Sequence, residues 1–415
     1  MVLLSPGVYR VRAPLAFRGD GCELIGIGRP VLQADELLPR IVDSDGRSRL
    51  RIAGVCVQGA GVQATGGRGA IHLDEGSRGC TVENSEVRDA PGTGIVDDGD
   101  GNAVRGNLVA GTGEHGIYVS GCRGGWYTGN RVTQAGTVAG ATLVAHGISV
   151  ADAAGCTIRD NVVDGGAGLG VVLRDGAHDN ALRGNLVRGT RDRLLLIGSG
   201  SDNLLEGNTL EDDPAGRDSL QITGGGGNRI EGNYIHRTSP GGAAIRWVGD
   251  EVLGGDIVRG NVVLLDGLAN YYAFELDAPR AGPVHIAGNT IQAIRGARMP
   301  AAIHAPAPER QDIGDNLVLG PRDARALGPG AHLAGTADAL LRCDASRGQV
   351  TVVLPPAAAV RWRVYAVEQA GAAAHPVVLR GTDEERIDGA RELLLPSGGA
   401  RRYLQSTGRG WQVLP

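Results

Sequence analysis

Apolar residues recur along this chain in short pairs set inside one repeated phrase: apolar, any, Gly or Asp, Asn, any, apolar. It reads Thr-Val-Glu-Asn84-Ser-Glu-Val, Val-Arg-Gly-Asn107-Leu-Val, Tyr-Thr-Gly-Asn130-Arg-Val, and continues through Asn161, Asn185, Asn208, Asn233, Asn261 and Asn289 to Ile-Gly-Asp-Asn316-Leu-Val. The asparagines advance by 23, 23, 31, 24, 23, 25, 28, 28 and 27 residues. A period of this size marks stacked supersecondary units, none of which can bury its apolar side alone. Within each period the phrase predicts a short strand with alternating apolar members. A second strand follows, as in Gly-Ile117-Tyr-Val, Gly-Ile148-Ser-Val, Gly-Val171-Val-Leu, Ile245-Arg-Trp and Phe274-Glu-Leu. Gly, Asp, Asn and Ser separate the strands, and no helical stripe fits between them. Strand-turn-strand coils of this kind predict an all-β chain built as a parallel β-helix. In that geometry the asparagines stack at one corner and satisfy turn amides that would otherwise be buried unpaired. The phrase is structural and carries no chemistry.

The solenoid is expected over residues 1–320, a linker over 321–339, and a small β-sandwich-like domain for assembly or packing over 340–415, where the Asn period stops. Pro6-Gly-Val-Tyr-Arg-Val, Pro14-Leu-Ala-Phe and Cys22-Glu-Leu-Ile-Gly-Ile-Gly form the opening coil. This coil resembles the entry coil of pectate-lyase-like and phage-tailspike-like right-handed β-helices, which implies the right-handed form. Those families usually carry a helix ahead of this coil, and here none is visible, so either a neighbouring subunit or larger particle is expected to cover that end or polar groups blunt it. At the other end, Thr351-Val-Val-Leu-Pro-Pro, Ile387-Asp-Gly and Ser406-Thr-Gly-Arg-Gly-Trp411-Gln-Val are similar to the β-domains that end tail-fibre and tailspike chains. That resemblance implies a packing or trimerising role, hence a homotrimer.

Composition narrows the function. A net charge of −5 argues against a nucleic-acid binder. All 41 basic residues are Arg, which excludes lysine chemistry. None of the six cysteines forms a C-x-x-C pair, so they read as stacked interior thiols rather than zinc ligands. No signal peptide and no membrane-spanning run is visible in the sequence. Together with these features, the resemblance to tailspike and tail-fibre chains implies a virion or phage-like particle as the expected location, and otherwise the cytoplasm.

Alternate residues on a strand point outward, and in a solenoid they stack into a stripe. The second strands align Val96, Tyr118, Ser149, Val172, Gln221, Arg246, Glu275 and His304, flanked by Glu114, His115, His146, Asp152, Arg174 and Asp175. The matching pairs Glu114-His-Gly-Ile-Tyr and Ala145-His-Gly-Ile-Ser place two histidines on adjacent coils, under a loop at 134–145. This arrangement suggests a polysaccharide groove. Breaking a uronate linkage by β-elimination needs a cation for the carboxylate, a base for the α-proton and an acid for the leaving oxygen. The candidates are His115, Tyr118, His146, Asp175, Arg246 and Glu275. Hydrolysis would instead need two carboxylates roughly 5 to 9 Å apart, and no spacing pairs Asp175, Glu275, Asp250 or Glu251. The bland alternative is that His115 and His146 only close turns. Sugar contacts are expected from Trp126, Tyr127, Tyr271 and Tyr272 at turns, and from Ser149, Gln221 and His304 on the stripe. Asp97-Asp-Gly-Asp100 resembles a calcium-binding turn without the bidentate acid of an EF-hand loop, so a solvated turn is favoured and no cofactor is expected. No polygalacturonase or alginate-epimerase signature is present. The expected function is a phage-like spike or fibre that binds, and in one form degrades, surface polysaccharide. The alternative is a stand-alone β-helix lyase, epimerase or isomerase.

Overall fold

The computed structural model describes residues 1–61, 69–136, 145–211, 216–266, 272–278, 282–294, 302–305, 311–319, 324–336, 338–370, 375–395 and 401–414. Three parallel sheets run the length of the first part, and each coil contributes one strand to each. The first has 13 strands, from Val2–Leu4 to Asp312–Gly314, and the third has 12, from Leu15–Ala16 to Ile303–His304. The second runs from Val8–Val11 to Leu317–Leu319. Strands pair in register from coil to coil, so Ile95, Ile117, Ile148 and Val171 stack inward. They belong to a continuous core of Val, Ile, Leu and Ala that reaches from Val11 to Val318.

The asparagines form the expected ladder between the first and second sheets. The side-chain carbonyl of Asn208 accepts hydrogen bonds from both the backbone N–H (3.0 Å) and the side-chain amide (2.9 Å) of Asn185. The Asn185 amide also donates to the Ile158 carbonyl at 2.9 Å. The pattern repeats from Asn107 to Asn316. At the first coil of the series the register differs by one. Ser85 takes the ladder place and donates its N–H to Asn107, while Asn84 sits in the left-handed region at φ 48°, where the other phrases carry Gly or Asp. A second ladder lies five residues earlier in the coils: Asn180 donates to Asn203, Asn203 to Asn228, and Asn228 to Asp256.

Five of the six cysteines are buried, and Cys122 and Cys156 stack with sulfurs 3.7 Å apart. Asp97, expected in a solvated turn, is buried. It accepts hydrogen bonds from Tyr127 Oη and Asn102 Nδ2, both at 2.7 Å, because its strand turns it inward.

The stretch expected as a linker carries strands Ala324–Leu327 and Gly330–Leu333, which pair in parallel with Leu340–Cys343 and Val350–Val353. The coiled path therefore continues as two sheets around a separate core from Leu327 to Trp411. Antiparallel strands Glu392–Leu395, Arg401–Ser406 and Trp411–Leu414 complete it. This unit closes the C-terminal end of the solenoid. Trp362 joins the solenoid core, its carbonyl accepts from Val318 N–H, and Gln405 donates to the carbonyl of Asn316 at the last step of the ladder. Among the described residues no helix is long and apolar enough to cross a membrane.

Candidate functional site

Register places the outward stripe of the third sheet where the alternation puts it, with one member added. Val96, Tyr118, Ser149, Val172, Leu196, Gln221, Arg246, Glu275 and His304 occupy successive coils. The same column continues toward the N-terminus through His72 and Asp43. Five coil steps separate Tyr118 from Arg246, which is roughly 24 Å at the spacing of neighbouring strands. One active site cannot hold both, and the stripe divides into two groups with Val172 and Leu196 between them.

The first group lines an open groove of about 920 Å³ that includes Arg40, Asp74, Asp98, Glu114, His115, Tyr118 and Arg174. His115 stacks on Tyr118 and on His146, with ring centroids 5.2 and 5.0 Å apart. The Arg174 guanidinium lies 5.6 Å from the centre of the Tyr118 ring, and its Nε donates to Ser149 Oγ at 3.3 Å. Both histidines are held in one tautomer. His115 Nδ1 accepts the backbone N–H of His146 at 3.0 Å, and His146 Nδ1 accepts that of Leu169 at 3.3 Å. A neutral imidazole that accepts at Nδ1 carries its proton on Nε2. Burial, with His146 and Arg174 nearby, lowers the His115 pKa to about 3, and burial beside Arg174 lowers that of His146 to about 4. At neutral pH each is therefore an uncharged Nε2–H donor. This corrects their expected part as the base, since a ring already protonated on its only free nitrogen cannot take a proton there without becoming the disfavoured cation.

At the N-terminal end of the groove lies a cluster outside the expected set. Arg40 Nη1 bridges Asp43 (2.7 Å) and Asp74 (3.0 Å), and His72, fully buried, stands between Asp74 and Asp98. Burial and the adjacent Asp43 push the Asp74 carboxyl up to about 6. Extending the outward stripe two coils toward the N-terminus would have found Asp43 and His72.

The other expected residues are placed elsewhere. Asp175 sits in the turn after the strand and pairs with Arg174 at 2.7 Å. Arg246 lies between Asp277 (2.6 Å) and Glu275 (3.4 Å), and burial raises the Glu275 pKa. Ser149 is fully buried and Gln221 is bound to Asp218 at 3.0 Å, so neither is free to meet a sugar. Tyr272 stacks on His304 at 4.7 Å, near the junction with the C-terminal unit. Trp126 is 56% exposed but stands on the first sheet, away from the groove. Tyr127 is not a surface platform: the next residue on the same strand, it points into the core. Tyr271 and most of the 134–145 loop lie outside the described residues.

A family model for a right handed beta helix region matches residues 69–196. No curated protein matches the sequence. Among solved structures, the A-module of mannuronan C-5 epimerase AlgE6 from Azotobacter vinelandii superposes with a TM-score of 0.61 at 17% identity, over 77% of this chain and 91% of that one. DFA-IIIase from Arthrobacter chlorophenolicus A6, without its lid, gives 0.52 at 16% identity, over 75% and 87%. The Dettilon tailspike overlaps at 0.42 and 15% identity, over 77% and 62%, too loosely to bear on this chain. At these identities the likeness is one of fold, and with the family match it identifies the chain as a right-handed parallel β-helix protein.

Proposed function

We propose that the chain binds an acidic polysaccharide along the third sheet and removes the proton α to a uronate carboxylate, as a lyase or epimerase does. The observation that carries this reading is the convergence of Tyr118, His115 and Arg174 on one groove. Arg174 supplies the charge for the uronate carboxylate. The Nε2–H of His115 donates to the same group as negative charge builds on it, acting as a fixed dipole that needs no proton transfer. Tyr118 takes the α-proton as the phenolate and, now the phenol, gives it to the leaving oxygen. In elimination the C–H electrons form the new double bond, the glycosidic C–O bond breaks, and the leaving oxygen takes a proton. The mannuronan epimerase among the structures of like fold favours a carbohydrate ligand.

Incubation with polyuronates and neutral polysaccharides tests this. The expected result is unsaturated or epimerised uronate products from the acidic polymers only. New reducing ends without unsaturation, or turnover of neutral polymers, would contradict the reading.

A second reading makes the chain a spike or fibre of a phage-like particle. Leu333, Leu394 and Tyr403 are exposed on the C-terminal unit, and they favour it as surface for subunit contacts. Light scattering tests this: a homotrimer supports it, and a monomer contradicts it.

A further inference from the structure

We infer that Asp43, His72 and Asp74 form a binding site for one divalent transition-metal ion at the N-terminal end of the groove. Their ligand atoms lie within 4.8 Å of one another. Ligands in a tetrahedral shell with bonds of about 2.0–2.2 Å stand roughly 3.4 Å apart, so closing the site needs a shift of at most about 1.4 Å.

Two independent features point to an ion rather than to a chance grouping of acids. The first is His72. Its Nε2 lies 2.9 Å from Asp98 Oδ2, so in the neutral ring Nε2 donates there and Nδ1 holds the lone pair. Nδ1 makes no hydrogen bond although the side chain is fully buried, and it faces Asp74 Oδ1 at 3.2 Å. A carboxylate behind an imidazole whose other nitrogen faces further carboxylates is the arrangement that orients histidine ligands on metals. The second feature is charge. Asp43, Asp74 and Asp98 are faced by one guanidinium, that of Arg40, which leaves two negative charges for a divalent ion to balance.

The remaining contacts pre-set the carboxylates. Asp43 Oδ1 accepts the Asp45 N–H at 3.1 Å, and the Asp74 N–H donates to Ser44 Oγ at 2.7 Å. The mixed nitrogen and oxygen donors suit zinc, manganese or iron better than calcium, which takes oxygen alone. The site does not rest on the polysaccharide reading.

The test is calorimetric titration of the chelator-treated full chain with zinc, manganese and calcium chlorides, followed by thermal unfolding with and without each ion. One equivalent of zinc or manganese should bind and raise the unfolding temperature, with calcium at least 10-fold weaker. His72→Ala should weaken binding at least 100-fold. Asp98→Asn, which touches only the histidine, should weaken it about 10-fold. Should His72→Ala not fold, Asp43→Asn decides, because its carboxylate ligand is lost while the buried imidazole stays. Absence of binding, or affinity unchanged in Asp43→Asn or His72→Ala, would overturn the proposal, as would calcium binding as tightly as zinc.

Discussion

The two groups on the third sheet share a strand register and a stripe, yet differ in what their polar atoms have left to do. In the C-terminal group, Arg246 is held by Asp277 and Glu275, and Gln221 by Asp218. These side chains neutralise one another, which makes a covered surface rather than a reactive one. In the N-terminal group, backbone amides occupy only the Nδ1 side of His115 and His146, leaving an Nε2–H on each. Arg174 is paired as well, with Asp175, so the difference lies in these Nε2–H groups and in the Tyr118 hydroxyl, with the Arg174 cation beside it in the same groove. A charged residue on a solenoid stripe therefore gains functional meaning from which partners the neighbouring coils supply, more than from its type.

The sharpest way to break the comparison is to remove one polar group from each half. Tyr118→Phe should lower turnover of a uronate polymer at least 100-fold with little change in stability, whereas Arg246→Ala should stay within about 3-fold, a contrast read from initial rates. Equal losses would mean that the halves act as one site.

The scaffold common to both halves gives the next largest effect. Asn185→Ala leaves the Asn161 N–H buried without its acceptor and takes the side-chain donor from the Ile158 carbonyl, and should cost about 1–3 kcal/mol in urea unfolding. Asn84→Gly should cost nothing measurable, because that position has φ 48° and lies outside the ladder.

A smaller effect of opposite origin belongs to the N-terminal half alone. The folded His115 pKa is near 3 and that of an unfolded histidine near 6.5. Between these values the unfolded chain binds the proton and the folded chain does not. The stability contribution is complete above pH 6.5 and is lost as the pH falls, on the order of 3 kcal/mol by pH 4. Unfolding midpoints at pH 7 and pH 4.5 should diverge less in His115→Gln than in the wild type.

The smallest expected change is at Trp126. Replacing it by Ala should leave polysaccharide affinity within 2-fold, since it stands on the first sheet, and affinity electrophoresis reads this directly.

Much of the fold was legible because one residue does one job in every coil. Asn at a fixed corner set the period, and alternation then placed Tyr118, Ser149 and Arg246 in a single column. The second ladder shares the period only in part: Asn102, Asn180, Asn203 and Asn228 each lie five residues ahead of a phrase asparagine, but Gly125 and Cys156 take that place in two coils, so no phrase forms. The site was less legible, because distance along the stack decides what can cooperate. Arg246 and Arg174 look alike in sequence, and only counting coils assigns Arg174 to His115. Tyr127 was misplaced for a local reason: neighbours on a strand face opposite ways, so an exposed Trp126 sends Tyr127 inward. Asp43 and His72 were hidden by the irregular early coils, where Val55 replaces the ladder residue.

The most direct test of the central claim is exchange of the uronate α-proton with deuterated solvent, followed by NMR on a polyuronate with the wild type, Tyr118→Phe and Arg246→Ala. Deuterium uptake by the wild type and by Arg246→Ala, and none by Tyr118→Phe, is the predicted result. No uptake by the wild type on any acidic polymer, or uptake unaffected in Tyr118→Phe, would contradict it.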